Sequence, residues 1–271
     1  MEEPAVEAPG HPAVVRVRAD NPGPMTLTGT NTYVVGSSPA WVIDPGPADP
    51  KHIDLVCEVG ETRGGIEGVL LTHSHSDHNA GVEMLGAPVL VGNESGFDDL
   101  AALLATEPVA MPPAPADGSE VGPFRVIATP GHAPDHVAFV YGDDGEICFC
   151  GDLVLGEGST IVPPGAGGGS LADYMQSLDV LAALGASLLC PGHGPWVTDP
   201  AAKIAEYADH RRERERLLTE ALDDGRRDEG DLLDAAWSDV PDAMRPAAAL
   251  AMRAHIEKLA AEGRLPEDVE L

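Results

Sequence analysis

Along the first 200 residues, apolar positions fall in short runs broken by glycine and proline; after that they take a helical spacing. Val14, Val15 and Val17 predict a first strand. Thr30 to Val35 and Trp41 to Ile43 are two β-rich runs joined by Gly36-Ser37-Ser38-Pro39, a hairpin signal. Asp44-Pro45-Gly46-Pro47 stops the second run. Ile53, Val56 and Cys57 recur at helical spacing and predict a helix over 50–60. Gly68 to Thr72 reads as a buried strand, Asp77 to Leu85 as a helix, and Pro88 to Val91 as a strand. A helix is predicted over 96–106 and a loop over 107–123, where five prolines fall.

Phe124 to Ala128 is a strand. Val137 to Tyr141 and Glu146 to Cys150 form a hairpin around Gly142-Asp143-Asp144-Gly145. Residues 156–170, rich in glycine and proline, are a long loop whose 163–170 part reads as a surface insertion. Leu171 to Leu184 is a helix, and Ser187 to Cys190 a short strand. Beyond Pro200 come a long charged helix over 201–222, a short one over 230–237 and a third over 241–262. Gly263 ends the third, and Arg264-Leu265 starts a short strand. The division expected is a flexible tail over 1–13, a layered α/β module with mixed sheets over 14–200, and a helical module over 201–271.

Composition narrows the field. Of 271 residues, 43% are hydrophobic, enough for a core rather than disorder. Sixteen Lys and Arg stand against 45 Asp and Glu, a formal net charge of −29. Such a surface does not grip nucleic acid or an anionic membrane as a whole. Eleven of the 16 bases lie beyond residue 200, so an anionic partner would be met there. Within that stretch Glu213 and Glu215 interleave Arg211, Arg212, Arg214 and Arg216, a pattern of paired charges on a solvated helix. Aromatic residues that could stack on single strands are only 4% of the chain. No apolar run approaches the ~20 residues that cross a bilayer, so no membrane partner is expected. The acidic, proline-containing start lacks a secretory pattern. Cys57, Cys148, Cys150 and Cys190 form no Cys-x-x-Cys pair. A cytoplasmic setting with reduced thiols is the expectation.

The strongest chemical signal is Thr72-His73-Ser74-His75-Ser76-Asp77-His78. Four metal-ligand side chains fall within six residues, directly after a predicted strand. Neutral imidazole and carboxylate suit zinc and similar divalent ions. Crowding these rings without a cation would cost desolvation and repulsion. His132, Asp152 and His193 follow the same grammar, each where an apolar strand gives way to a glycine-containing turn. Loops from four strand ends could therefore converge on one cleft.

In order, His73-x-His75-x-Asp77-His78, Thr-Pro-Gly-His132, Gly-Asp152 and Pro-Gly-His193-Gly resemble the metal-site pattern of the metallo-β-lactamase superfamily. The resemblance covers residues 14–200. It implies a four-layer αββα sandwich (an α/β, or α+β, fold) with a dinuclear site between two sheets. On it, His73, His75 and His132 would hold one cation, Asp77, His78 and His193 the second, and Asp152 both. Zinc is the implied ion, two per chain, with manganese or iron as alternatives. Asp77 and Asp152 are the candidate catalytic carboxylates, and a water shared by two cations would supply hydroxide near neutral pH. True class B β-lactamases lack the bridging aspartate, so the pattern looks like other hydrolytic branches. The Ala80-Gly81 that follows stands where the family usually has Gly-Gly.

A finer likeness lies in Asn21 to Tyr33, Gly151 to Thr160 and Tyr207 to Arg211. These resemble a lactamase-like branch that includes a mitochondrial endoribonuclease for single-stranded RNA and fungal thioesterases acting on carrier-bound polyketides. Its members carry a winged-helix-like C-terminal module. Asp44 matches an Asp-Pro-Gly position that would orient a ligand or its loop. Asn31 and His136 read as structural hydrogen-bonding residues, and His210 and Arg211 match the branch's His-Arg pair. Two functions follow: hydrolysis of an ester, thioester or lactone on a small or carrier-bound substrate, or cleavage of RNA through the cleft and C-terminal module. A non-catalytic metal-binding role suits a full set of seven ligands poorly.

Overall fold

A computed structural model describes residues 5–91, 117–142, 144–165 and 168–269. The helix expected over 96–106 and most of the loop after it lie outside these residues. The chain opens with four strands: β1 (Ala5–Ala8), β2 (His11–Arg18), β3 (Asn31–Gly36) and β4 (Ala40–Ile43). Helix α1 (Pro50–Thr62) leads into β5 (Ile66–Leu70), the one-turn helices α2 (Ser76–Asn79) and α3 (Val82–Leu85), and β6 (Val89–Val91). The second half holds β7 (Glu120–Val121), β8 (Phe124–Ala128), β9 (Val137–Tyr141), β10 (Ile147–Gly151), α4 (Leu171–Leu184) and β11 (Leu188–Pro191). It is followed by α5 (Pro200–Asp223), α6 (Glu229–Ala236), a 3₁₀ turn at Asp242–Met244 and α7 (Arg245–Ala261).

Strands β1 to β6 form one mixed sheet in sequential order, and β11-β10-β9-β8-β7 form the other. Side-chain alternation explains the layering. In β9, Val137 and Phe139 face the first sheet, while Ala138 and Val140 face the helices. In β3, Tyr33 and Val35 meet that same inter-sheet core, while Val34 packs on the α1 side with Val42, Val56 and Val69. Helix α4 covers the outer face of the second sheet through Leu171, Tyr174, Leu178 and Leu181. The result is α1, sheet, sheet, α4: the four-layer sandwich.

Three expectations are corrected. Residues 5–8 are not a loose tail. They pair antiparallel with β2, Ala5 opposite Val17 and Glu7 opposite Val15, across a turn at Pro9-Gly10. The free edge of β2 supplies the hydrogen bonds that so short a segment cannot find alone. The helix expected over 77–85 is two single turns, because the Gly81 N–H leaves the helix ladder and donates to the Gly46 carbonyl at 2.8 Å. A Cβ there would lie 2.6 Å from Ile53 Cδ1. Among the described residues no strand forms at Arg264-Leu265; the Arg264 N–H instead closes the end of α7 on the Leu259 carbonyl at 2.8 Å.

Helix α5 serves two cores. Its first turns place Ile204, Tyr207 and Ala208 against the second sheet. Its later residues Leu218 and Leu222 join Leu233, Trp237, Met252 and Leu259 in a separate cluster with α6 and α7. Arg214, buried at this junction, donates to both oxygens of Asp239 at 2.7 and 2.8 Å. Among the described residues no helix is long and apolar enough to cross a membrane.

Candidate metal centre

The site lies where the two sheets are stitched together at one edge. The Asn31 N–H donates to the Gly192 carbonyl at 2.7 Å, and the Val137 N–H to the Thr72 carbonyl at 2.8 Å. Thr30 bridges His193. The loops after β5, β8, β10 and β11 are thereby held against one another, and each carries at least one of the predicted side chains.

Three ring nitrogens meet first. His73 Nε2 and His132 Nε2 each lie 3.0 Å from His75 Nδ1. The far nitrogens set their protonation. Thr72 Oγ1 donates to Asp44 Oδ2 at 2.7 Å, so it must accept from His73 Nδ1 at 2.9 Å. His132 Nδ1 faces the Ile161 carbonyl at 2.8 Å, which can only accept. Neutral rings at 73 and 132 therefore turn bare lone pairs toward His75. A single proton on His75 Nδ1 could satisfy only one of the two contacts. A cation between them satisfies all three.

A second group adjoins the first. His78 Nε2 lies 3.5 Å from Asp77 Oδ2, and His193 Nε2 lies 3.3 Å from the same oxygen. Asp152 spans both groups: Oδ1 is 3.5 Å from His78 Nε2, and Oδ2 is 3.4 Å from His193 Nε2 and 3.8 Å from His132 Nε2. His78 Nε2 and Asp152 Oδ1 are fully buried, yet neither has a hydrogen bond. Two orphaned polar atoms facing each other in a buried site fit a cation-binding position. The donor set, five imidazoles and two carboxylates, is that of a divalent transition-metal site.

Electrostatics agree. Burial and the neighbouring rings hold His73 well below the usual imidazole range. Burial takes His132 down to about 4 and His136 to about 3. Burial also opposes charge on His78 and His193, but the Asp77 and Asp152 carboxylates outweigh it, raising His78 well up and His193 to about 9. Asp77 is lowered to about 2: burial resists this, and His78 and His193 prevail. The cluster is thus a compact set of anions and imidazoles drawn to positive charge.

Asp44 stands behind the cluster rather than in it. Its carboxylate accepts from the Thr72 N–H at 2.7 Å, the Thr72 hydroxyl at 2.7 Å and His78 Nδ1 at 3.0 Å. It thereby orients two histidines at once. Asn31 donates from Nδ2 to the Pro191 and Gly194 carbonyls, both at 2.9 Å, and so brackets the His193 turn. His136 accepts from the Asp152 N–H at 3.2 Å and pairs with Thr129 Oγ1 at 2.8 Å.

His210 is not brought to the cluster; its Nε2 accepts from Arg214 Nε at 3.2 Å, one turn along α5. Arg211 is buried and donates to the Thr160 carbonyl at 2.6 Å. Cys150 and Cys190 are buried free thiols, pushed well up by that burial, and Cys150 Sγ donates to the Val154 carbonyl. Sequence reasoning passed over Thr72, Thr30 and Thr160. Thr30 Oγ1 donates to Asp77 Oδ2 at 3.3 Å, and Thr160 Oγ1 lies 3.2 Å from His132 Nδ1. Adjacency to a ligand marked Thr72; Thr30 and Thr160 fall within the segments that resemble the lactamase-like branch, but nothing in them pointed to a contact with a ligand.

Comparison with known proteins bears on the whole chain. Residues 25–87 and 108–193 match the model of the metallo-beta-lactamase superfamily, and residues 230–268 that of the beta-lactamase associated winged helix domain. A beta-lactamase-like protein 2 homolog of Drosophila melanogaster is 32% identical, with 93% of this chain and 89% of that one covered. An atrochrysone carboxyl ACP thioesterase of Aspergillus chevalieri is 39% identical over 79% of this chain and 67% of its own length. A solved metallo-beta-lactamase family protein of Thermus thermophilus superposes with a TM-score of 0.73 at 25% identity, covering 94% of this chain and 95% of that one. With its sandwich, its converging histidines and its C-terminal module, the chain belongs to the metallo-β-lactamase superfamily of hydrolases.

Proposed function

We propose that this hydrolase cleaves a thioester of a carrier-bound or small acyl substrate at a dinuclear centre, with zinc as the ion and manganese or iron as alternatives. His73, His75 and His132 would hold one cation, Asp77, His78 and His193 the other, and Asp152 both. When bound, such cations polarise a carbonyl and lower the pKa of water toward neutrality. The chain's own groups do the rest. Asp44, Thr72 and His136 keep rings and carboxylate turned inward. Asp77, the more exposed of the two carboxylates, is an anion, since the adjacent rings hold it near 2. Both carboxylates are held ionised and offer no proton, which suits a leaving group that departs as an anion. A thiol, with a pKa of about 8.5, does so readily; an alkoxide does not.

The observation that carries the thioester reading is the 39% identity to the fungal ACP thioesterase across most of the catalytic module. The surface supports it. In the helical module Arg212 pairs with Asp209, Arg216 with Glu213, Arg253 with Glu229, and Lys258 and Arg264 with Glu215. Cations already paired with carboxylates release few counterions on meeting a phosphate backbone.

Purified protein with measured metal content is to be given acyl thioesters, both small and carrier-linked, in parallel with esters, lactones and single-stranded RNA. Thiol release that stops with a chelator, returns with zinc and is absent in the His73→Ala/His75→Ala double variant is expected. RNA cleavage without thiol release would replace the thioester reading with the nuclease one.

A further inference from the structure

The segment after β10, residues 152–165, carries one ligand and touches two more. It begins with Asp152. The Gly156 N–H donates to the His193 carbonyl at 2.9 Å, and the Ile161 carbonyl anchors His132 Nδ1 at 2.8 Å. His78 and His73 are anchored differently, by the Asp44 carboxylate and Thr72, which stand on the first sheet and its loops. A backbone carbonyl in a glycine-rich stretch is only as fixed as the groups that hold its chain. Tyr174 Oη on α4 donates to the Leu153 carbonyl at 2.7 Å, and three further groups come from the helical module. Tyr207 Oη accepts from the Leu155 N–H at 3.0 Å, Arg211 Nη2 donates to the Thr160 carbonyl at 2.6 Å, and Glu257 Oε2 accepts from the Gly165 N–H at 3.0 Å. Arg211 is 4% exposed, and its guanidinium lies 5.3 Å from the ring centre of Tyr174 on α4.

We propose that Arg211 is a positioning residue for His132: through the Thr160–Ile161 peptide, helix α5 holds the His73, His75 and His132 side of the metal centre, while His78 is anchored from the first sheet. The guanidinium is the rigid, charged donor suited to this task, and its hydrogen bond to the carbonyl is charge-assisted. Helix α5 is then part of the support of the metal site. The influence of Arg211 is one-sided, because the peptide it holds meets His132, whereas the anchors of His78 lie in the catalytic module. The proposal rests on the dinuclear reading above.

The test uses the full-length protein, loaded with cobalt(II) and titrated against a competing chelator, with visible absorption reporting each binding event. His132→Ala identifies the event that belongs to the His73, His75 and His132 side. Arg211→Met is expected to weaken that event about tenfold, the lower end of the range for groups that orient a ligand, and to leave the other within twofold. Arg211→Lys should recover part of the loss, since an ammonium can still donate to the Thr160 carbonyl. Glu257→Ala should weaken the same event to a smaller extent, and it carries the test if Arg211→Met does not fold. Melting of the chelator-treated protein separates positioning from general support. Unchanged affinity in Arg211→Met and Glu257→Ala would overturn the proposal. So would equal weakening of both events together with a lowered metal-free melting temperature. Wild-type protein that binds no divalent cation would remove the dinuclear reading and this proposal together. Two ions bound with normal affinity in both variants would remove this proposal alone.

Discussion

Replacing Asp44 by Asn tests the orientation of the cluster with almost no change of shape. Three donors converge on the carboxylate: the Thr72 N–H on Oδ1, and the Thr72 hydroxyl and His78 Nδ1 on Oδ2. An amide offers one oxygen and one NH₂, so it cannot accept all three. With NH₂ in the place of Oδ2, His78 Nδ1 must accept, and the ring proton moves to Nε2, the nitrogen that faces Asp77 and Asp152. With NH₂ in the place of Oδ1, two buried donors oppose each other at Thr72, which costs about 1–3 kcal/mol for each unpaired group. Either route removes His78 as a ligand or destabilises its support. The expected result is a loss of about 10–100-fold in affinity for the cation on the Asp77, His78 and His193 side, or about 1.4–2.8 kcal/mol. Asn is preferable to Ala because Asp44 has a φ of 50°, which Asn tolerates and Ala does not; Ala would add about 1–2 kcal/mol of backbone strain. Stepwise cation release to a chelator measures the affinity, and imidazole nitrogen NMR reads the tautomer of His78. Wild-type affinity at both positions, with the His78 proton still on Nδ1, would refute the reasoning.

Gly192→Ala would bring a Cβ to 2.4 Å from Asp152 Oδ1 and 2.6 Å from His78 Cε1; the variant should keep its circular dichroism yet lose bound metal, and a full metal complement would contradict the packing described. Metal-free protein should lose stability between pH 6.5 and 5. His132 and His136 have folded values near 4 and 3, below the unfolded value near 6.5, so their contribution is full above 6.5 and is lost as pH falls toward the folded values. Over those 1.5 units the loss is about 2 kcal/mol for each ring, read by urea melts. The lowered His73, His52, His210 and His255 add to the loss; the raised His78 and His193 oppose it only near pH 6.5, where the unfolded ring is half protonated, and the buried, raised Asp135 trims it slightly. Cation uptake near pH 7.5 should release protons, since the carboxylates hold His193 protonated up to about 9 in the metal-free protein; calorimetry in buffers of different ionisation enthalpy checks this, and buffer-independent heats would count against it.

Much of the scaffold was legible because its signals are local. The alternation in Val137 to Tyr141 marks both faces of one strand, and Leu171 to Leu184 runs from a serine N-cap to a glycine with φ of 67°. Strand β1 was not legible: four residues beside a proline become a strand only because β2 has an edge to offer. Nor was the double duty of α5, whose long charged helix spans two cores that depend on what packs against each turn.

The sequence alone determined which side chains could gather. Their identities and spacings are covalent, and three of the seven, His132, Asp152 and His193, sit where apolar runs break at glycine. It could not determine which nitrogen of each ring faces inward or what holds the other. Those answers lie in contacts such as His132 with the Ile161 carbonyl and Arg211 with the Thr160 carbonyl, 29 and 51 residues apart. A backbone carbonyl is the same group at every position and leaves no mark in the sequence, so only the folded chain decides which of them orients a histidine.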